Sequence, residues 1–248
     1  MPKKIKILWV ACVLIIFSGF VCFSFMKKVK VYQLKEEARS NQESLENKKT
    51  SFKVKDNGKV FKVDPIKEIK ELNALGKYDD AVKYAEGVAM LNPNQPKIYT
   101  WWGISLVKAG NRELAIEKFV KSANLDSSYS KTYLYWGLTL AMSGDSDGAI
   151  KKYKKVLKLE PDNSNAYAYW GAALDKLGKY LESVEKLEYA LEINPNNPNV
   201  FSPLIVSFFH QKKYSDAWGV VKKAKRAKVI IPKSLIIRLA EVSPEPMY

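Results

Sequence analysis

Cysteine is nearly missing from this chain: its 248 residues hold two, Cys12 and Cys22, both in the apolar N-terminal segment. The remainder of the chain therefore forms no internal disulfide and supplies no thiolate ligand. Histidine is scarcer still. His210 stands alone, and a histidine with no paired Cys or His supplies neither a metal site nor a nucleophile–base pair. No phosphate-binding Gly loop, no Gly-x-Ser-x-Gly and no Asn-x-Ser/Thr sequon occurs. Carboxylates such as Asp79 and Asp80 fall at expected helix starts, where capping and the helix dipole account for them. The expectation is no catalytic residue, no metal, no cofactor and no enzymatic activity.

Acidic residues are also under-represented, and unevenly so. The net charge is +15, of which residues 1–64 hold 14 Lys/Arg against 6 Asp/Glu, residues 65–195 hold 18 against 17, and residues 196–248 hold 9 against 3. The basic character belongs to the two ends. Its densest cluster outside the N-terminus is Lys222, Lys223, Lys225, Arg226 and Lys228. On an amphipathic helix this run reads as a solvated face, with anionic lipid, an acidic protein or RNA as functional alternatives. Nothing resembles a defined nucleic-acid module, and a nucleic acid is not the expected partner.

What is present begins with Ile7 to Met26, 20 consecutive residues without a charge. A helix of that length spans about 30 Å, a bilayer's hydrocarbon core. Residues 1–28 are expected to form one transmembrane anchor with basic flanks. The rival reading is a cleaved signal peptide, whose apolar region is shorter and whose cleavage site is poorly matched by Cys22-Phe23-Ser24. Lysines flank both sides, Lys3, Lys4 and Lys6 before and Lys27, Lys28, Lys30 and Lys35 after, so the charge rule for orientation nearly cancels. A very short basic N-terminus resembles a signal anchor that would export the rest of the chain from the cytoplasm; the opposite orientation would leave it cytoplasmic. Residues 29–61 read as a stalk, with Asn57-Gly58 between two β-prone runs signalling a short hairpin.

Beyond the stalk the chain repeats itself every 34 residues. Pro93, Pro161 and Pro195 lie on one comb; Trp102-Gly103, Trp136-Gly137 and Trp170-Gly171 lie on a second; Ala81, Ala115, Ala149, Ser183 and Ala217 lie on a third. Such a period signifies stacked supersecondary units. Each unit reads as helix, turn, helix, with turns at Gly76, Gly110, Gly144 and Gly178 and at Lys212-Lys213 in a degenerate fifth, where Pro203 is expected to interrupt the first helix. Tyr99 with Trp102, Tyr133 with Trp136 and Tyr167 with Trp170 are three apart and share one helix face, expected to be core. Pro232 to Val242, with an apolar stripe of Leu235, Ile236, Leu239 and Val242, reads as a finishing helix, and residues 232–248 as cap and tail.

These combs resemble the tetratricopeptide repeat family, whose pattern runs W-x₂-L-G-x₂-Y, then A-x₃-F, then P. Here Tyr takes the usual Trp place and Trp the usual Leu place. The resemblance covers residues 62–229, in units 62–95, 96–129, 130–163, 164–197 and 198–231. It implies an all-α, right-handed α-solenoid of about five helix pairs plus a C-terminal capping helix, preceded by the transmembrane helix. It further implies a concave groove, lined by the first helices, that takes a protein or peptide partner. Trp101, Tyr135 and Tyr169 recur one residue before the tryptophans of the second comb, about 100° around the helix from them. They either pack between repeats or face the partner. Leu134, Leu138, Met142, Val206 and Phe209 are the further groove candidates, favouring an apolar or aromatic motif. Some relatives grip a C-terminal carboxylate with Lys and Asn at set places; of the matching residues here only Lys131 conforms, so that clamp is not expected.

The function expected is a membrane-anchored scaffold or assembly factor. The alternatives are a regulatory domain that binds anionic lipid or an acidic polymer through the basic ends, and an accessory subunit of an enzyme complex.

Overall fold

The computed structural model describes residues 64–245 and, ahead of them, the two short strands β1 (Lys55–Asp56) and β2 (Lys59–Val60). The strands pair antiparallel, Lys55 opposite Val60 and Asp56 opposite Lys59, the register of a hairpin with a two-residue connection. The expected anchor and most of the stalk lie outside the described residues. Among the described residues, no helix is long and apolar enough to cross a membrane.

Eleven helices follow in the described residues, α1 (Pro65–Ala74), α2 (Tyr78–Leu91), α3 (Pro96–Lys108), α4 (Arg112–Leu125), α5 (Ser130–Met142), α6 (Ser146–Leu159), α7 (Ser164–Lys176), α8 (Tyr180–Ile193), α9 (Pro198–His210), α10 (Tyr214–Arg226) and α11 (Lys233–Val242). They form five hairpins and a terminal helix. Odd-numbered helices are the first of each pair. Consecutive first helices touch one another all along the array, whereas consecutive second helices do not pack as pairs. The first helices thus form the inner row and the second helices the outer one.

Local chemistry explains each hairpin. Gly76, Gly110, Gly144 and Gly178 all have positive φ and close the first helix with a left-handed residue, which a glycine adopts without steric cost. In the fifth hairpin Lys212 takes the same conformation at φ 58°, held by Lys212 N–H to Phe209 O and Lys213 N–H to Phe208 O, both 2.9 Å. The Trp-Gly comb has a packing cause. A Cβ on Gly103 would lie 2.6 Å from the Phe119 ring, one on Gly137 2.5 Å from the Tyr153 ring, and one on Gly171 2.6 Å from Leu187 Cγ. The missing side chain lets the second helix seat its largest core residue against the first helix. In the fifth hairpin the exchange runs the other way: Ile205 stands in the glycine's place, and Val221 is the smaller residue of the second helix in the same buried cluster. The larger residue thus moves from the second helix to the first, a redistribution that cores tolerate.

Two expectations are corrected. Pro203 does not interrupt α9, which runs through it from Pro198 to His210. A mid-helix proline removes one hydrogen bond, and Val200, Phe201, Leu204, Ile205 and Phe208, all buried, hold the helix in the largest apolar cluster regardless. The cap's stripe is narrower than read: Leu239 is buried and Leu235 and Ile236 half-buried, but Val242 is 49% exposed. The helix end is tied down by a polar contact instead, Trp218 Nε1–H donating to Ser243 O at 2.9 Å.

Candidate partner-binding groove

Two aromatic ladders run along the repeats on different sides of the first helices. In the ladder read as core, the expected pairs form: Tyr99 on Trp102, Tyr133 on Trp136 and Tyr167 on Trp170 stack with ring centroids 6.2, 6.5 and 6.4 Å apart. Only two of the six rings are deep. Tyr99 and Tyr133 are buried, while Tyr167 and all three tryptophans are half-buried. This corrects the core reading of the tryptophans, and the cause is a row of second-helix lysines that cover their faces. Lys118 Nζ lies 4.3 Å from the Trp102 ring centroid, Lys152 Nζ 3.4 Å from Trp136 and Lys186 Nζ 5.1 Å from Trp170. Ammonium groups over indole faces are attracted by the ring quadrupole, and their stems shield apolar surface. Burial and the neighbouring Lys151 charge push the Lys152 ammonium down. These lysines recur at the 34-residue period, a signal visible in the sequence but not weighed there.

The second ladder lies on the inner row. Trp101 on α3 is flanked by the first helices on both sides: Lys70 Nζ from α1 is 5.0 Å from its ring centroid and Lys131 Nζ from α5 is 5.2 Å away. Trp101 and Tyr135 pack against the cluster of Ile104, Leu106, Ala115 and Phe119, and Tyr169 against Ala149, Tyr153 and Ala173. Each of the three is half-buried. Tyr169 and Tyr153 have ring centroids 6.0 Å apart. Burial, then proximity to Tyr135, raises the Tyr169 phenol; burial, then Tyr135, raises that of Tyr129, which a side-chain hydrogen bond with Trp101 partly lowers. The phenols therefore stay neutral donors at any physiological pH. Trp101, Tyr129, Tyr135 and Tyr169 make one continuous aromatic row. Each ring packs at the seam between repeats and keeps part of its surface exposed.

The remaining groove candidates divide. Met142 is 53% exposed, and Leu138 and Val206 are half-buried on the first helices. Leu134 belongs to the packing between hairpins, touching the clusters of both Val156 and Tyr153. Phe209 is half-buried too, with the Arg238 guanidinium of α11 4.6 Å from its ring centroid and Tyr214 of α10 meeting it edge-on at 5.8 Å. The basic run is exposed throughout, at Lys222, Lys223, Lys225, Arg226 and Lys228, around an α10 face that buries Ala217, Val220, Val221 and Ala224. A shallow cavity of about 470 Å³ opens elsewhere, at the α6–α7 connection among Glu160, Asp162, Asn163, Asn165 and Asn194, and contains none of the groove candidates.

Residues 130–163, the third hairpin, match the family model described as tetratricopeptide repeat. The chain thus contains a tetratricopeptide repeat and has the fold of a solenoid of such helix hairpins. No curated protein matches the chain. Among solved structures, the chain is similar to PilF of Pseudomonas aeruginosa at 19% identity and TM-score 0.64, over 72% of this chain and 82% of that one. It is similar to the thermophilic TPR protein TTC0263 of Thermus thermophilus at 21% identity and TM-score 0.59, over 71% and 96%. A third, YrrB, described as a TPR protein with an unusual peptide-binding site, is 15% identical with TM-score 0.56 over 71% and 90%. At such identities the likeness shows the fold.

Proposed function

We propose that this chain is a non-catalytic scaffold or assembly factor, anchored in a membrane by residues 1–28, that holds a protein or peptide partner against the inner row of its repeats. The observation that carries the reading is the ladder of Trp101, Tyr135 and Tyr169, half-buried large aromatics on the inner row beside exposed Met142. Aromatic rings backed by a core and open on one face supply rigid contact area at low entropic cost, the chemistry of interface anchors. The unusual peptide-binding site of YrrB, a protein of like fold, is consistent with such use. The 20-residue uncharged segment supports the anchor, with the repeats outside the cytoplasm.

The test is site-specific photo-crosslinking, which leaves the packing intact. A crosslinker at Leu138 or Met142 should capture a partner polypeptide in mild detergent, while one at Lys154 on the outer row should not yield that adduct. Capture from outer-row positions alone refutes the groove. Membrane fractionation with protease accessibility tests the anchor and its orientation; repeats that are shielded in intact cells and soluble without detergent refute both. A second reading, binding of anionic lipid or an acidic polymer through the basic ends, is favoured by the exposure of all five cations between Lys222 and Lys228. Binding that survives high salt argues against it, because contacts made by charge are screened.

A further inference from the structure

The outer row carries a charge pattern that the groove reading leaves unused. Lys151, Lys154 and Lys158 on α6 are exposed at spacings of three and four residues, with half-buried Lys155 beside them, so they share one stripe. Glu185, Glu188 and Glu192 are exposed on α8 at the same three places of the next repeat, 34 residues later, with the sign reversed. Tyr189, 42% exposed, stands where Lys155 does. Among the described residues no ion pair involves the α6 lysines, Glu188 or Glu192; Glu185 pairs only with its neighbour Lys186. Like charges four apart destabilise a helix, so each stripe is unfavourable within one chain. Between the stripes lies an aromatic seam. Lys154 Nζ of α6 and Lys186 Nζ of α8 both approach the Trp170 ring, at 5.0 and 5.1 Å from its centroid, and Tyr189 meets Tyr167 edge-on at 4.6 Å.

We propose that this face pairs with a second copy of the chain, across a two-fold axis that runs along the Trp170 seam parallel to α6 and α8. Such an axis lays α6 of one copy on α8 of the other, in the same direction. Lys151 then meets Glu185 of the partner subunit, Lys154 meets the partner's Glu188, and Lys158 meets the partner's Glu192. The reciprocal pairs form by symmetry, as an isologous interface requires. The centre of the contact is aromatic, Tyr189 and the lysine-covered Trp170, with charge at the rim, the usual anatomy of an interface. Electrostatic complementarity also sets the register. An axis across the helices would oppose lysine to lysine and is disfavoured. A flat anionic surface such as a lipid headgroup plane would suit α6 and be repelled by α8, so the alternation of sign selects a second copy over a membrane.

The experiment is light scattering coupled to size-exclusion chromatography on the full chain in mild detergent. At low ionic strength the unsubstituted protein should have the mass of two copies, and the pair should dissociate more readily at about 1 M salt, where the screening length falls to about 3 Å. Both K151E/K154E/K158E and E185K/E188K/E192K should have half that mass, because α6 and α8 then carry the same sign in every copy. All six positions are exposed, so circular dichroism should be unchanged. An equimolar mixture of the two variants should regain the mass of a pair, since each reversed stripe now meets a complementary one. A mass of one copy for the unsubstituted protein, a pair that persists in either variant alone, or a mixture that stays monomeric overturns the proposal. So does a lysine variant that keeps its mass but loses binding to phosphatidylglycerol vesicles, which would make α6 a lipid site.

Discussion

Asp175 is the ionisable group whose environment most directly couples this solenoid to pH. It lies near the end of α7 and accepts a hydrogen bond from Ser207 of α9, joining the fourth hairpin to the fifth. Ser207 Oγ also lies 2.9 Å from Ser183 Oγ, which donates to Gly171 O at 2.9 Å. With the carboxyl ionised, two hydroxyl protons must serve three contacts. A protonated Asp175 supplies the third, donating to Ser207 and freeing it to donate to Ser183. Burial raises this carboxyl from 3.8 to about 6, against the pull of the Ser207 and Ser183 hydrogen bonds and the Lys176 charge. A raised carboxyl makes the folded state bind more protons than the unfolded one between those values. Its stabilising share is complete below about pH 4 and is lost as pH rises through 6. At about 1.36 kcal/mol per unit the loss is about 3 kcal/mol, a sizeable part of the ~5–15 kcal/mol that holds a domain folded. The same joint occurs three repeats earlier with an amide: Asn73 Nδ2 donates to Ser105 Oγ at 2.8 Å. Asp175→Asn should therefore preserve the joint and delete the titration. Urea unfolding of both proteins between pH 4 and pH 7.5, with circular dichroism as readout, should show the variant gaining on the unsubstituted protein by about 2–3 kcal/mol as pH rises. Taking the difference removes the opposite slopes of carboxyls such as Asp126, held low by the Ser128 side-chain and backbone hydrogen bonds. A difference that is flat over this window, or that favours the unsubstituted protein at high pH, refutes the reasoning.

Gly137→Ala should cost at least about 1–3 kcal/mol in the same unfolding assay, because its methyl would sit 2.5 Å from the buried Tyr153 ring; a neutral effect would show that the hairpin opens freely. Lys212→Gly should stabilise by up to about 1 kcal/mol, raising the urea midpoint, since Lys212 holds a left-handed backbone at φ 58° that costs an L side chain roughly 1–2 kcal/mol. Replacement of Gly144, at φ 91°, by Ala should shift that midpoint the other way.

The period, the helix–turn–helix unit and the unit boundaries could be read from the chain, because one hairpin cannot bury its own apolar faces. Stacking identical neighbours stamps the same residue classes at fixed intervals, as Ala115 and Ala149 or Gly103 and Gly137 show. The left-handed glycines were equally legible, since the backbone demand is local. Depth of burial was not. Trp102, Trp136 and Trp170 follow the core comb yet remain half-exposed beneath lysines from another helix, a contact that no local pattern encodes. Pro203 breaks a local rule, and packing from four neighbouring helices overrules it. Phe209 fits the groove by spacing, while the Arg238 guanidinium that meets its ring comes from the terminal helix. The charge total of residues 65–195 is nearly balanced, and only the fold brings Lys154 of α6 and Lys186 of α8 to one ring, Trp170, so that stripes of opposite sign come to share a face. Periodicity is a property of the chain, so the chain reveals it. Which side chains share a surface depends on distant segments brought together, and that belongs to the folded molecule.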